Sequence, residues 1–208
     1  MIIAVDGPTA SGKGTIASAI AHHFGLPHLD TGLLYRAVGW HVFLDSGDPD
    51  NPCDARMGTA FHDDLLKSEE LRSEHVGGLA SRVSVHPEVR QALLERQRTF
   101  AQQQGGAVLD GRDIGTVICP DADVKLFVTA SLDARTDRRF AEMQSQGRNM
   151  TRDEVYAQIE RRDARDMGRE DAPLKPAPDA YILDTTALDK EASIAAAIEI
   201  VQEASSKP

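Results

Sequence analysis

The chain has 208 residues, about the length of one domain, and 41% of them are hydrophobic, which is enough to form a buried core. Its 33 acidic residues exceed its 23 lysines and arginines, and the formal net charge of −10 argues against binding to nucleic acid or to anionic lipid. Two distant cysteines and a short apolar run at residues 1–5 indicate neither disulfides, structural zinc, a signal peptide nor a membrane span, so we expect a cytoplasmic protein.

Segments with the spacing of strands and of helices alternate along the chain. In chain order, the pattern predicts strand 1–5, helix 13–24, strand 27–30, helix 31–43, helix 87–104, strand 107–110, strand 124–129, helix 131–145, helix 151–168, strand 181–184 and helix 189–204. Thr31 is the residue that we expect to cap the second helix. The weak periodicity of residues 53–80, which follow a loop at 46–52, predicts a small helical insertion rather than further strands.

Strands that alternate with helices predict an α/β protein. The runs at 107–110 and 124–129 are apolar without alternation, which is typical of strands buried on both faces of a parallel sheet. We therefore expect a doubly wound, three-layer sandwich with a mostly parallel, five-stranded sheet. The expected organisation is one domain over residues 1–208. Its parts are a core of 1–44 and 86–208, an insertion at about 45–85 and an arginine-rich lid at about 145–169.

A glycine-rich turn joins the first strand to the first helix. It consists of Gly7, Pro8, Thr9, Ala10, Ser11, Gly12, Lys13, Gly14 and Thr15. Glycine at positions 7 and 12 allows several backbone N–H groups to point at one anion, and the N-terminus of the helix adds a favourable dipole. Lys13 supplies a mobile charge for the β- and γ-phosphates, so the turn predicts an ATP site. An ordinary glycine-rich turn between a strand and a helix is the alternative.

The end of this motif departs from the usual pattern. Lysine is normally followed by a Ser or Thr hydroxyl that binds Mg²⁺, whereas here a glycine follows Lys13 and the hydroxyl comes at Thr15. We therefore expect Mg²⁺ to be held through water and phosphate oxygens near Thr15 and Asp110, and we assign it no direct protein ligand. Asp6 and Asp184 also end predicted strands and are alternatives to Asp110 as the carboxylate for that water.

Arginines are concentrated in one part of the chain. Nine of the 17 lie within residues 135–169, a stretch that contains no lysine. If this stretch is helical, one of its faces carries Arg162, Arg165, Asp166 and Arg169. Like charges at this spacing repel, so a polyanion bound between the arginines would relieve the conflict, and guanidinium groups suit phosphate. A solvated helix, in which Glu160, Asp163 and Asp166 pair with the arginines, is the alternative.

Five segments make the chain resemble the bacterial cytidylate kinases, which are P-loop nucleoside monophosphate kinases. In order, they are GPTASGKGT, LDTGLLYR, HPEVRQALLERQR, LDGRDIGTV and RRDARDMGREDAPL. The resemblance implies the P-loop NTPase fold, with 45–85 as the insertion that binds the monophosphate. It also implies phosphorylation of CMP or dCMP by ATP, with Mg²⁺, and we expect the enzyme to be a monomer.

The resemblance further implies roles for single residues. The residues placed at CMP are Thr31, Arg36, Ser81, Arg90, Arg112, Asp113, Arg162, Asp166 and Arg169. Ser81, Arg90 and Asp113 face the cytosine; Arg36, Arg112 and Arg162 hold the phosphate; Asp166 and Arg169 lie near the ribose. The catalytic cations are Lys13, Arg112, Arg162 and Arg169. A carboxylate at Asp113 suits cytosine, because it accepts the proton of the exocyclic amine and would oppose the carbonyl of uracil.

Other interpretations of these residues and of the chain stay open. Arg90 could be exposed on its helix, and Asp113 could cap a helix or pair with Arg112. The chain could be another small-molecule P-loop kinase, acting on AMP, shikimate or dephospho-CoA, although the DGRD and RDxRD elements weigh against this. A nucleotide-binding switch or ATPase is a third possibility, but the chain has neither a guanine-binding motif nor a basic overall charge.

Overall fold

A computed structural model describes residues 1–206 and shows an α/β protein. The strands are β1 (Ile2–Asp6), β2 (His28–Asp30), β3 (Ala107–Gly111), β4 (Val124–Thr129) and β5 (Tyr181–Asp184). The helices are α1 (Lys13–Phe24), α2 (Thr31–Leu44), α3 (Pro52–Met57), α4 (Glu74–Val83), α5 (Pro87–Ala101), α6 (Leu132–Ser145), α7 (Arg152–Met167) and α8 (Lys190–Ser205). The predicted order of strands and helices is therefore confirmed.

The chain divides into two compact units. The first, which we call the sheet unit, consists of Met1–Leu29 and Gln103–Pro208, and the second, the helical unit, is Asp30–Gln102. These limits differ from the prediction. The predicted core is 1–44 together with 86–208, and the predicted insertion is about 45–85. No helix within residues 1–206 combines the length and the apolar character that a membrane crossing needs.

The five strands form one sheet with the order β2-β3-β1-β4-β5. The pairings of β1 with β3, of β1 with β4 and of β4 with β5 are all parallel. Because strands of a parallel sheet end at the same edge, the segments that follow β1, β3, β4 and β5 leave the sheet on one side, which is where such sheets bind ligands. The predicted parallel sheet is confirmed.

Aliphatic side chains bury one face of the sheet against helices α1 and α8. Ile3, Val5, Val108, Leu126 and Val128 of the strands form one core with apolar residues of α1 and α8, among them Ile16, Ile20, Ala197 and Val201. Each fully buried aliphatic side chain of this kind contributes about 1.5–3 kcal/mol. A smaller apolar cluster, which contains Met143, Val155 and Ile159, packs α6 against α7. The sheet unit therefore gives the segments at its carboxyl edge a rigid base.

The helical unit contains the predicted insertion. Residues 52–83 form α3, three short 3₁₀ turns (Gly58–Ala60, Asp63–Lys67 and Glu69–Arg72) and α4, so the helical character expected for 53–80 is confirmed. Helices α2 and α4 pack closely at Gly39, where a Cβ atom would lie 2.8 Å from the Cβ of Leu79. A side chain at position 39 would therefore push the two helices apart.

The predicted cap of α2 is wrong. Asp30, not Thr31, is the N-cap, and its carboxylate accepts the N–H of Gly32 at 2.9 Å. Asp30 has an extended backbone, whereas Thr31 is already the first helical residue and is buried. Both residue types cap helices well, so the choice depends on the backbone conformation at the end of β2, which composition does not reveal.

Replacement of the Asp30 cap tests this assignment. We expect Asp30→Ala to lower the free energy of unfolding by about 1 kcal/mol, because an N–H of the first turn loses its acceptor. Asp30→Asn, which keeps an acceptor oxygen, should change it much less. Urea unfolding monitored by circular dichroism measures both, and equal losses in the two variants would contradict the cap.

Candidate functional site

The turn after β1 has the backbone that an anion site needs. Gly7 is tightly enclosed, since a Cβ atom there would lie 2.1 Å from the carbonyl oxygen of Val128. Gly12 has a left-handed backbone (φ +88°) and is the N-cap of α1. Because this cap has no side chain and the first turn of α1 has no acidic residue, the helix presents its first N–H groups and the positive end of its dipole to a bound anion.

Lys13 lies beside a buried carboxylate at the end of β3. Its Nζ is 3.6 Å from Oδ2 of Asp110, and Oδ1 of Asp110 is 2.8 Å from Nε2 of His28. Burial opposes ionisation of Asp110, but the hydrogen bond from His28 and the charge of Lys13 outweigh it, so the pKa of Asp110 is lowered. Asp110 therefore stays ionised and holds Lys13 next to the glycine-rich turn of residues 7–15, which we call the phosphate turn.

This geometry separates Asp6, Asp110 and Asp184, the three carboxylates that the sequence offers for the magnesium-bound water. Both oxygens of Asp6 accept backbone N–H groups, and Asp184 is exposed and bonded to Thr186. Asp110 is the one that lies beside Lys13. Residues 1–206 contain no group of three His, Cys, Asp or Glu side chains that could hold a metal ion.

Thr9 of the turn is held at each of its polar atoms. Its N–H lies 3.3 Å from Oδ1 of Asp163, its carbonyl accepts from Arg135 at 3.0 Å, and its hydroxyl accepts from Arg112 at 3.0 Å. Arg135 and Asp163 are both buried and form an ion pair between α6 and α7. The phosphate turn is therefore tied to α6, to α7 and to the segment after β3.

The predicted arginine cluster surrounds one carboxylate. Asp166 is buried in α7, and its Oδ2 accepts from Nε of Arg112 at 2.8 Å. Burial raises the pKa of Asp166, but Arg112, Arg162 and Arg169 together lower it below its usual value. Burial likewise tends to lower the pKa of Arg112, and Asp166 reverses this, so the guanidinium stays charged. The structure therefore brings Arg112, Arg162, Asp166 and Arg169 together.

Three details differ from the simple helical face predicted for this stretch. Arg169 lies beyond the end of α7, and its Nε donates to the carbonyl of Asp166 at 3.2 Å. Arg165, which is expected on the same face as Asp166, is exposed, whereas Asp166 is buried. Asp163 pairs with Arg135, which lies 28 positions earlier in α6. Asp113, the next residue after Arg112, is buried and precedes a π-helical turn at Ile114–Ile118.

The helical unit holds the other residues predicted for the acceptor. Arg36 donates to the carbonyls of Leu71 and Ser73 at 2.6 and 2.8 Å, and the absence of a Cβ at Gly77 leaves room for its guanidinium. Thr31 and Ser81 are buried in α2 and α4. Arg90 is also buried, with its guanidinium 5.9 Å from the ring centre of Tyr35, so it is not a solvent-facing residue of α5.

A cavity of about 460 Å³ adjoins the phosphate turn. Ser11 and Thr15 line one side of it, Arg138 and Arg139 of α6 another, and the start of α8 at Lys190 a third. Arg138 shapes the cavity by donating to the carbonyls of Thr185 and Leu188 in the segment after β5. The sequence analysis assigns Ser11 and Thr15 to ATP but gives no role to Arg138, Arg139 or Lys190. Arg138 and Arg139 nevertheless lie in the arginine-rich stretch, and the segment before Lys190 follows the carboxyl end of a strand.

Comparisons with known proteins agree on one family. The family description "Cytidylate kinase" matches residues 3–203 of the chain. A protein of Methylocella silvestris named cytidylate kinase is 54% identical over 98% of this chain and 95% of its own length. Proteins with the same name from Cereibacter sphaeroides (strain KD131) and Granulibacter bethesdensis are 53% and 52% identical, over 96% and 97% of this chain and 94% and 97% of their own lengths.

A solved structure supports the fold alone. An uncharacterised protein of Eubacterium ventriosum is 15% identical, has a TM-score of 0.57 and is matched over 100% of this chain and 99% of its own. At that identity it adds nothing about chemistry.

The buried ion pair of Arg135 and Asp163 yields a stability prediction. Asp163→Asn leaves the Arg135 guanidinium buried without its counter-charge, so we expect the free energy of unfolding to fall by about 3 kcal/mol. Asp133→Asn, which removes one exposed partner of Arg152, should leave it unchanged. Urea unfolding of the two variants measures this free energy. If Asp163→Asn loses no more of it than Asp133→Asn does, the ion pair contributes little to stability.

Proposed function

The chain belongs to the cytidylate kinase family, and from that premise we propose that it transfers the γ-phosphoryl group of ATP to CMP or dCMP, giving CDP or dCDP and ADP. The observation that carries the proposal is the presence of two cationic groups at the carboxyl edge of one sheet. Lys13 stands at the phosphate turn, and Arg112 stands with Arg162 and Arg169 around Asp166. One group suits the phosphates of the donor and the other the phosphate of the acceptor.

The reaction needs no general base. A phosphate monoester has a second pKa of about 6, so the acceptor oxygen of CMP is already largely ionised at neutral pH. The side chains have to align the attacking oxygen with the γ-phosphorus and to neutralise the charge that shifts during transfer. Asp110 holds Lys13, and Asp166 holds Arg112, so these cations have fixed positions, which is what electrostatic stabilisation requires.

For the donor, we assign the triphosphate of ATP to residues 7–15. The cavity of about 460 Å³ beside Thr15 and Arg138 is large enough for the nucleoside. Asp110 and Thr15 are the residues that would hold Mg²⁺ through water, and the ion would supply positive charge to the β- and γ-phosphates. Asp110 is suited to this because it is ionised and already lies beside Lys13.

For the acceptor, the residues that we assign in the sheet unit are Arg112, Asp113, Arg162, Asp166 and Arg169. Those that we assign in the helical unit are Thr31, Arg36, Ser81 and Arg90. Burial of Asp113 and Arg90 supports their assignment to the base, because a polar group in a dry environment discriminates strongly between hydrogen-bonding partners. The carbonyl contacts of Arg36 would be exchanged for, or shared with, the acceptor phosphate.

The cellular setting of this activity is also a proposal. We propose that the enzyme works in the cytoplasm as a monomer, on free nucleotides with Mg²⁺, and without nucleic acid or membrane partners. The acidic overall charge supports this, because it would oppose binding to other polyanions while the local arginine cluster binds small ones.

A coupled assay of ADP release tests the function against its alternatives. With CMP, dCMP, UMP, AMP, GMP, shikimate and dephospho-CoA as separate acceptors, we expect release with CMP and dCMP to exceed that with all others. Preference for AMP, shikimate or dephospho-CoA would identify another P-loop kinase. Slow release that no acceptor stimulates would identify an ATPase or a switch.

Two substitutions test the cationic groups. Lys13→Met and Arg162→Ala should each lower kcat for CMP phosphorylation by about 10²-fold or more, the usual effect of a cation in phosphoryl transfer. Arg161→Ala is the matched control for the second variant, because Arg161 is the exposed neighbour in the same helix. Near-normal turnover in both test variants, or equal losses in Arg161→Ala and Arg162→Ala, would contradict these roles.

Asp113 should determine the choice of base. We expect Asp113→Ala to lower the ratio of kcat/KM for CMP to that for UMP, because the acceptor that matches the amine of cytosine is lost. Asp121→Ala, at an exposed turn further along, serves as control. A ratio that stays at the wild-type value in Asp113→Ala would remove this residue from the base site.

A further inference from the structure

Asp6 is a buried carboxylate to which the proposed chemistry gives no role. It is the last residue of β1 and only 5% exposed. Its Oδ1 accepts the N–H of Ile114 and its Oδ2 the N–H of Gly115, each at 2.8 Å. These two amides open the π-helical turn Ile114–Ile118, directly after Asp113. A single side chain thus fixes the main chain beside the residues assigned to the acceptor.

The position of Asp6 in the sheet explains why it can do this. In the parallel pairing of β1 with β3, Asp6 lies opposite Gly111. The chain then continues from Asp6 into the phosphate turn at Gly7, and from Gly111 into Arg112 and Asp113. Asp6 therefore stands where the donor segment and the acceptor segment leave the sheet side by side.

Gly115 adds to the tightness of this contact. A Cβ atom there would lie 3.5 Å from Oδ2 of Asp6 and 3.2 Å from Cδ of Lys125. The ammonium of Lys125 is bound to Asp179 at 2.7 Å, so the lysine contributes its alkyl chain to this packing and its charge goes to Asp179. The Gly115 amide is thus packed between β1 and β4, with little room to turn away from Asp6.

The protonation state of Asp6 matters for these bonds, because only a carboxylate can accept at both oxygens with equal strength. Burial raises the pKa of Asp6 to about 7, although the amides of Gly115 and Ile114 lower it in part. Among neighbouring charges, Asp113 raises it and Arg112 lowers it. The carboxylate of Asp110, on the adjacent strand, is held by Lys13 and His28. Asp6 thus changes its charge near neutral pH.

Stability does not explain why a carboxylate stands here. The pKa of Asp6 in the folded chain is raised above the model-compound value of 3.8, so the folded state binds the proton more tightly than the unfolded state. Ionisation of Asp6 therefore lowers the stability of the fold as pH rises from about 4 to about 7. A buried group whose ionisation lowers the stability of the fold is typical of a functional site.

We infer that Asp6 is a positioning residue of the acceptor site: its carboxylate fixes the main chain of Ile114 and Gly115, and thereby the directions of Arg112 and Asp113, so that a proton on Asp6 weakens acceptor binding. The choice of CMP as that acceptor rests on the proposed function. The hydrogen bonds from the amides of Ile114 and Gly115 to Asp6 are observed directly and do not depend on that function.

Asp6→Asn tests the inference with an almost isosteric change. The amide oxygen can still accept from Ile114, but its NH₂ group then faces the N–H of Gly115. At pH 8 we expect KM for CMP to rise about tenfold or more, as for one lost hydrogen bond to a charged acceptor, while KM for ATP changes less than about twofold. Asp123→Asn is the matched control, because Asp123 accepts the N–H of Ile2 at the other end of β1.

The pH dependence distinguishes positioning from general damage. Between pH 8 and pH 6, KM for CMP should rise more steeply in the wild type than in Asp6→Asn, because only the wild type has this carboxylate to protonate. The phosphate of CMP titrates with a pKa of about 6 in both and cancels in the comparison. Parallel pH profiles, or equal rises of KM for CMP and ATP in Asp6→Asn, would overturn the inference.

Amide hydrogen exchange of the ligand-free wild type gives a test that needs no activity and no variant. After correction for intrinsic exchange, the protection of Ile114 and Gly115 relative to that of Ile2 should be lower at pH 6 than at pH 8, because a protonated Asp6 accepts the two amides less strongly. The ratio to Ile2 removes the change in overall stability between the two pH values, and an equal ratio at both would overturn the inference. Failure of the wild type to phosphorylate CMP would instead refute the proposed function, and the exchange result would still decide what Asp6 does.

Discussion

Fixed positive charge at the edge of the sheet, in a chain of net charge −10, is the constraint on which the site depends. Cations that stand close together repel one another, so each must be held by something other than its ligand. Buried carboxylates supply this support. Asp110 holds Lys13, and Asp166 binds Arg112 and also balances the charges of Arg162 and Arg169. The cations are thus held by the protein itself, which is the kind of fixed arrangement that electrostatic stabilisation uses.

Carboxylates so close to a phosphate site also compete with the phosphate. Arg112 has further donors besides the Nε that binds Asp166, and one of them is engaged by Thr9 of the phosphate turn. Thr9 is in turn held by Arg135 and Asp163, which join α6 to α7. A displacement of α7 would therefore reach the turn through two routes, the Asp163 contact and the Asp166–Arg112 contact. The phosphate turn and the segment after β3 are therefore linked mechanically through α7.

The sequence predicts the local part of this arrangement and not the distant contacts. Strands and helices follow from apolar periodicity, and the phosphate turn and the arginine stretch are visible as motifs, because each depends on neighbouring residues. The cap at Asp30 was missed because Asp and Thr are equally good caps and only the backbone angle separates them. The pairing of Arg135 with Asp163 spans 28 positions, and no pattern in either helix indicates it. The bonds of Asp6 go to backbone amides, which carry no sequence signal.

The buried carboxylates of the sheet unit differ in what they face, and this difference separates their roles. Asp110 and Asp166 face cations, which keep the pKa of each below its usual value, so both remain ionised throughout the neutral range. Asp6 has two amides as its direct hydrogen-bonding partners, and its pKa lies near 7. A change of pH around neutrality therefore leaves the cations in place and acts on the main chain after Asp113. On this basis we expect the proposed acceptor side, rather than the phosphate turn, to respond to a change of pH around neutrality.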